Sequence, residues 1–501
     1  MCFVAPIPSP AALAPVDAGE LAGQALADLR DDLGELGFVA RSARARVRSA
    51  AAELERVESD LQPATLAVLR DQLGSADGRL RALCGRLSRA AARSDLDDLA
   101  ATKAAVADQL RAESGLVGAL ATAADWQSPS FLHSISPAAG RHAGRIAPHW
   151  TDYKRDRHLD AAEYERAYVE ELIDGPPDVR ALLTSCGMAA FTTIVGSLHM
   201  AHRLAGPLLL GHGLYHETKE LLERSFPGAV CQVDERDTRA LLRTIRTLRP
   251  SAVFLDTLCN TRWAPLPDVA AVLGELRDRD MVVVLDNTAL SAGFQPFRLL
   301  GAAEHPRLIV FESLLKYPQL GLDRVNAGVI LGRGADAEAL ERDREHLGTN
   351  IGDAAVQSLP PPSRRVLERR LARLGRNAEL LARRLAAATS GHSAVRVFHP
   401  ALAEHPEQKS ARGRPFRGAC VSIASTPERE RRFMAGAFAE ARARGVPLIG
   451  GSSFGFDVTR LYLTAARTHH GEAFVRVAAG TEDRMAVEEL AGVLAAALAR
   501  S

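Results

Sequence analysis

Lysine is nearly missing from this 501-residue chain. It occurs only as Lys103, Lys154, Lys219, Lys316 and Lys409, while arginine supplies the other 57 basic positions, as in a GC-rich genome. Each lysine that survives such a bias merits inspection. Charge of one sign is also lacking. Lys+Arg 62 against Asp+Glu 61 gives a net charge of +1, with no surplus to hold a nucleic-acid backbone. Cysteine is sparse: Cys2, Cys84, Cys186, Cys231, Cys259 and Cys420 are scattered without a CxxC pair. This pattern argues against a disulfide framework or a bound metal, and for reduced thiols in a cytoplasm. No apolar run approaches the roughly 18 residues of a membrane span. The N-terminal stretch has no basic segment ahead of a hydrophobic one, so no secretory signal is expected.

What is present is a soluble balance, 47% hydrophobic and 25% charged, over a length that predicts several domains. Residues 1–125 read as a helical extension rich in Ala, Leu, Arg, Asp and Glu. Leu29, Leu33 and Leu36, then Leu66, Leu69 and Leu73, then Leu80, Leu83 and Leu87 recur at helical spacing. One helix is predicted after Pro63 and another after Ser94, where a Ser-Asp pair suits an N-cap. With no histidine from 17 to 125 and one lysine, this segment is expected to pack on the rest or on a partner chain. Its removal is expected to leave a bound cofactor in place.

Residues 126–160 read as a linker or arm. From 161 to 360 helical stretches separate short apolar runs at 207–210, 252–255, 281–285, 308–311 and 328–331. Such runs predict strands buried on both faces, hence an α/β domain with a mostly parallel sheet. After the prolines at 360–362 a long amphipathic helix opens a smaller C-terminal α+β domain, 361–501.

Three local signals carry chemistry. Lys316 follows a buried strand among Leu314, Leu315 and Tyr317. Burial lowers an ammonium pKa and suits Schiff-base formation, although a snorkelling lysine would look the same. Asp286 ends the run MVVVLD, at the edge where α/β sheets bind ligands. A carboxylate there can hold a protonated pyridine nitrogen, a metal ion or a ribose, or cap a helix. In TSCGMAAF, 184–191, a Ser and a Gly open a helix whose N–H groups can seat a phosphate.

In that order these parts meet the needs of pyridoxal phosphate, and here the sequence resembles the Cys/Met-metabolism family of fold type I enzymes, the cystathionine γ-synthase and γ-lyase group. SCGMAA resembles the family's SGMAA, LYHET at 214–218 its YGGT region, LDTLCNT at 255–261 its ETPxNP, and LDNT at 285–288 its DNT. ESLLKY at 312–317 resembles S-x-T-K-Y, SFG at 453–455 resembles SLG, and VRVAAGTED at 475–483 resembles LRLSVGIED. The resemblance runs over about 145–500. It implies a fold type I architecture behind an all-α extension, with Lys316 binding the cofactor covalently and then shuttling protons. Asp286 would pair with the ring nitrogen and Tyr215 would stack on the ring and transfer protons. Gly187, Met188, Ser313 and Thr288 would bind the cofactor, with Asn260 near its phenolic oxygen. Arg476 would clamp the carboxylate of a small amino-acid substrate, aided by Ser453. Tyr153 and Arg155, in DYKRD, resemble a Y-x-R that reaches the neighbouring subunit's phosphate. That implies a homodimer or homotetramer with shared sites.

Departures from the family point to a specialised member. Leu315 replaces a threonine, His158-Leu159-Asp160 replaces Asn-Pro-Thr, and GLDRVNAG replaces the stretch after the lysine. Tyr-His-Glu-Thr replaces YGGT, putting Glu217 close to where a substrate side chain would lie. The implied activity is γ- or β-elimination or replacement, in natural-product metabolism, with a γ-lyase on a halogenated or unsaturated amino acid as one option. Two other readings stand beside it: a catalytically degenerate docking module, and a fold type I aminotransferase or decarboxylase.

Overall fold

The computed structural model describes residues 17–56, 62–124, 159–301, 303–389, 394–405, 411, 413–464 and 473–501. Three long helices come first: α1 (Ala18–Arg56), α2 (Pro63–Ala91) and α3 (Leu96–Ala123). Their leucines fall at three- and four-residue spacing, so each helix carries one apolar stripe. Leu29, Leu33, Leu36, Leu73, Leu80, Leu83, Leu99, Val106 and Leu110 meet in a single core. Pro63 opens α2, where its missing N–H costs nothing. Asp95 caps α3 by accepting from the Asp98 N–H at 2.9 Å. Ion pairs Arg79–Glu113 (2.6 Å) and Arg44–Asp77 (2.7 Å) link the helices outside that core.

A helix at Leu159–Leu172, starting just inside the stretch read as an arm, leads into a seven-stranded sheet. Its strands are β1 (Val179–Thr184), β2 (Leu208–Gly211), β3 (Val230–Val233), β4 (Ala252–Asp256), β5 (Val282–Asp286), β6 (Arg307–Ser313) and β7 (Gly328–Arg333). The order is β1-β7-β6-β5-β4-β2-β3. Strands β6 to β3 run parallel, whereas β7 is antiparallel to both β6 and β1. The five apolar runs are strands, with two corrections. Val179–Thr184 and Val230–Val233 also join the sheet, and the sheet is mixed at the β7 side. VRALLT carries no alternation and VCQV lies half-buried at an edge, so neither has the continuous apolar run used to find the others.

Two apolar layers cover the two faces of this sheet. The helix Arg364–Ala388 straddles two cores. Leu367, Leu371 and Leu374 pack on the large sheet, and Ala378, Leu381 and Leu385 on the smaller domain. That domain holds β8 (Arg396–Phe398), β9 (Cys420–Ala424), β10 (Ile449–Gly450), β11 (Arg460–Thr464) and β12 (Phe474–Ala478). They form one sheet in the order β10-β11-β12-β9-β8, backed by the helix Arg484–Ala499. The architecture is that of fold type I, a helix-flanked mixed sheet with a smaller C-terminal domain, preceded here by a helical bundle.

Candidate active site

The carboxyl ends of β4, β5 and β6 bring Asp256, Asp286 and Ser313 to one sheet edge, with Asp256 and Asp286 opposite each other in register. Burial pushes the Asp286 carboxyl above its ordinary range, opposed by hydrogen bonds from Thr288 and by the charge of Lys316. Thr288 ties two parts together. Its N–H donates to Asp286 Oδ1 at 2.8 Å, and its hydroxyl accepts from the Ser313 N–H at 2.9 Å.

The helix Gly187–Met200 starts against Ser313. A Cβ on Gly187 would sit 2.8 Å from Ser313 Cβ, so glycine is needed for the approach. Cys186 caps the helix, its sulfur accepting from the Ala189 N–H at 3.3 Å. The N–H groups of Gly187 and Met188 lie in the first turn, where no helical carbonyl can reach them. Helix start and Ser313 hydroxyl together are donors suited to an anion. Leu315 adds no hydroxyl to this set of donors, the anion seat.

Lys316 is half-buried and donates to Ser453 Oγ at 2.8 Å, with the Phe454 ring 5.5 Å from its Nζ. Burial lowers its pKa, helped by Arg476 and Arg460 and opposed by Asp323 and Asp286. Arg476, buried within β12, donates through Nη1 to Asn260 Oδ1 at 3.0 Å. Its Nε is buried with no partner among the described residues. Tyr215 precedes the helix His216–Ser225. Burial, then the neighbouring Glu217 to which it is hydrogen-bonded, raises its phenol, with Asp286 adding and Arg476 opposing. Glu217 is exposed and faces the Tyr215 hydroxyl and, at 3.8 Å, His216. Tyr215, Asp286, Lys316 and Arg476 therefore share one electrostatic neighbourhood. Tyr153 and Arg155 lie outside the described residues.

Three groups escaped the sequence reading. Asp256 has a buried Oδ1 without a partner among the described residues, and burial followed by Asp286 and Glu235 raises its pKa well above normal. Its signal was the acid in LDT, two strands' ends being equivalent in a parallel sheet. Asp323 faces Lys316, Arg460, Arg111 and Arg324, and its Oδ1 is buried without a hydrogen bond from the described residues. Arg460, on β11, came from a strand that was not anticipated.

The segment after Lys316 is strained. Leu320 (φ 51°), Gly321 (φ 79°) and Asp323 (φ 46°) all take left-handed backbone. The two non-glycine residues cost about 1–3 kcal/mol each. Gln319 opposes this from within the turn. Its side chain donates to the Leu314 and Val325 carbonyls at 3.1 and 2.6 Å and accepts from the Arg324 and Val325 N–H groups. Leu320 and Leu322 are 5% and 4% exposed and lie in the core of the N-terminal bundle. Burying each contributes about 1.5–3 kcal/mol, enough to offset the strain.

Among the described residues no group of His, Cys, Asp and Glu could hold a metal ion, and no helix is long and apolar enough to cross a membrane.

Comparison with solved structures shows the same fold. Cystathionine gamma synthase from Xanthomonas oryzae, in complex with cystathionine, aligns with a TM-score of 0.57 and 22% identity, covering 70% of this chain and 89% of that one. CalE6, a methionine gamma lyase from Micromonospora echinospora, aligns with a TM-score of 0.57 and 24% identity, covering 69% and 88%. Among curated proteins, the bifunctional enzyme flvA of Aspergillus flavus is 25% identical over 349 residues, which is 66% of this chain. The chain spans only 41% of that relative's length. The sequence pattern of the Cys/Met metabolism PLP-dependent enzymes matches residues 126–436, well over half of the chain. On this ground, and with Asp286 and Lys316 at the carboxyl edge of the large sheet and Arg476 near them on β12 of the smaller one, the chain belongs to the Cys/Met metabolism family of PLP-dependent enzymes.

Proposed function

We propose that this chain binds pyridoxal 5'-phosphate through Lys316 and catalyses γ- or β-elimination or replacement on a small amino acid. The carrying observation is the convergence of a depressed-pKa lysine, a buried strand-end acid and a helix-start anion seat. The residues present suit the cofactor. The close approach of Gly187 to Ser313 gathers the helix-start N–H groups and the serine hydroxyl, donors that suit a phosphate, and the raised Asp286 carboxyl would be held as an anion by a cationic ring nitrogen. Pyridoxal phosphate supplies the electron sink for charge left at Cα.

The chain's own groups do the rest. Arg476 holds the substrate carboxylate, its Asn260 bond at Nη1 orienting the guanidinium and its unpartnered Nε, with Nη2, presenting the fork. Lys316, kept neutral more easily by burial, takes the Cα proton and returns it at a later atom. Tyr215, whose phenol is raised, stays protonated and acts as a donor to a leaving group. Asp286 would pair with the ring nitrogen and keep it protonated.

The departures at Leu315, His216-Glu217 and 321–328, with the helical extension, support specialised metabolism over a housekeeping role. We therefore assign a γ-substituted substrate, halogenated or unsaturated. The DYKRD segment supports a site completed by a second copy of the chain, in a dimer or tetramer. The test is to supply pyridoxal phosphate, trap it with borohydride and map the adduct by mass spectrometry. A panel of γ-substituted amino acids is then assayed for keto-acid and ammonia release. A reductively trapped Lys316 and release of both products are expected. No adduct at Lys316 sinks the proposal. Transfer of the amine to an acceptor favours an aminotransferase instead.

A further inference from the structure

The N-terminal bundle touches both segments that flank the reactive lysine. On one side lies the strained turn after Lys316. Its Leu320 and Leu322 side chains complete the bundle's core, and Arg111 of α3 donates to the Gly321 carbonyl through Nε (3.3 Å) and Nη2 (3.0 Å). On the other side lies the Ser453 loop. Gly455, at φ 93°, packs so closely on the Lys316 carbonyl carbon that a Cβ would come within 3.2 Å of it. The Gly455 carbonyl accepts from Arg370 at 2.8 Å, and Arg370 also binds Asp457 at 2.8 Å and Glu35 of α1 at 2.5 Å. Lys103 of α3 joins Asp32 at 2.7 Å to the Thr481 carbonyl at 3.0 Å, just past the strand that bears Arg476. Gly118 of α3 lets the bundle close onto Ala354 and Ser358; a Cβ there would lie 2.3 Å from the Ala354 carbonyl oxygen.

These contacts differ from an appended domain on a flexible tether. A turn with left-handed Leu320 and Asp323 persists only where its surroundings over-determine it. Bundle residues are among those surroundings, packing on Leu320 and Leu322 and holding the Gly321 carbonyl. Arg370 is 3% exposed and Glu35 is its partner from another domain, so this charge network is buried between the two bodies.

We propose that α1–α3 form part of the active-site framework, with Arg111 a positioning residue that sets the 317–323 turn and thereby the placement of Lys316 and Asp323. The bundle is then not dispensable, contrary to the expectation from its composition. The inference rests on Lys316 being the reactive amine, but its first readout does not.

The test uses the full chain with Arg111→Ala and Arg111→Lys, each with and without pyridoxal phosphate. Arg111 is partly exposed, so both variants are expected to fold. Hydrogen exchange in the peptide spanning 316–323 rises about tenfold in Arg111→Ala, as loss of a charge-assisted hydrogen bond requires, while α1 and α2 keep their protection. With cofactor bound, the pH titration of the Lys316 chromophore shifts, and kcat falls about 10- to 100-fold with KM little changed. Arg111→Lys, which keeps one donor to the carbonyl, recovers part of each effect. Unchanged exchange at 316–323 overturns the proposal, as does a rise spread evenly over the bundle. Absence of a chromophore in the wild type, together with the local exchange rise in Arg111→Ala, would instead refute the cofactor assignment and leave the framework role standing.

Discussion

Ser453 accepts a 2.8 Å hydrogen bond from the Nζ of Lys316, and it does so from left-handed backbone at φ 76°. Two properties are thus combined at one residue, a hydroxyl that aims the amine and a turn that aims the hydroxyl. Serine already bears the Cβ penalty of that backbone; alanine bears the same, whereas glycine is relieved of it. Ser453→Ala should therefore lose the hydroxyl alone, raising KM for substrate while Lys316 still captures the cofactor. Ser453→Gly should lose both the hydroxyl and the backbone penalty, and so melt higher than Ser453→Ala. Steady-state kinetics and thermal melts on the pair check this. Identical behaviour of the two variants counts against a role for the turn.

Asp286 stands 2.8 Å from the Thr288 N–H with its carboxyl raised by burial. Removing the acid removes the group proposed to hold a proton on a ring nitrogen. Asp286→Ala should retain a trapped adduct at Lys316 yet lose turnover at least about 100-fold. Full activity in this variant would mean that charge at Cα is stabilised some other way.

Arg476 reaches Asn260 with one nitrogen and keeps another buried and unpartnered. A lysine in its place supplies charge without a fork. Arg476→Lys should raise KM about 10-fold or more, as loss of a charge-assisted hydrogen bond does, and leave the absorbance of the bound cofactor unchanged. A spectral change in place of a KM effect would relocate Arg476 to the cofactor.

His399 offers a stability readout away from the site. It is 1% exposed, its Nδ1 accepts from the Ala401 N–H at 3.2 Å, and burial holds its pKa down to about 4. The folded state thus prefers the neutral ring. The stabilisation is present above the ordinary histidine value of about 6.5 and is lost as pH falls toward 4, by about 1.4 kcal/mol per unit over that window. Denaturant melts between pH 7.5 and 4 should show this decline in the wild type and a shallower one in His399→Gln. Parallel curves would assign the acid sensitivity to other groups.

Much of this arrangement was legible before any coordinates. Leu80, Leu83 and Leu87 sit on one stripe because 3.6 residues make a turn, and Asp95 caps α3 because its carboxylate satisfies an otherwise orphaned N–H. The run at 281–285 is a strand because five apolar residues bounded by an acid suit the middle of a parallel sheet, buried on both faces. Lys316 and Asp286 were legible for a related reason, since strand ends in such a sheet face the ligand edge. Val230–Val233 was not, because half-burial at an edge leaves no continuous apolar signal.

Sequence alone determined most of the elements and the residue types capable of the chemistry, because helix and strand periods, caps and a rare lysine are local properties of the chain. Tertiary structure alone decided which of them work together. That Asp323 faces Lys316, that Asp256 stands beside Asp286, and that Arg111 grips the turn 210 residues further on are facts of packing. They depend on strand register, on left-handed backbone held by distant side chains, and on burial shared between bundle and sheet. No local pattern encodes these relations, since each is set by residues far apart in the chain.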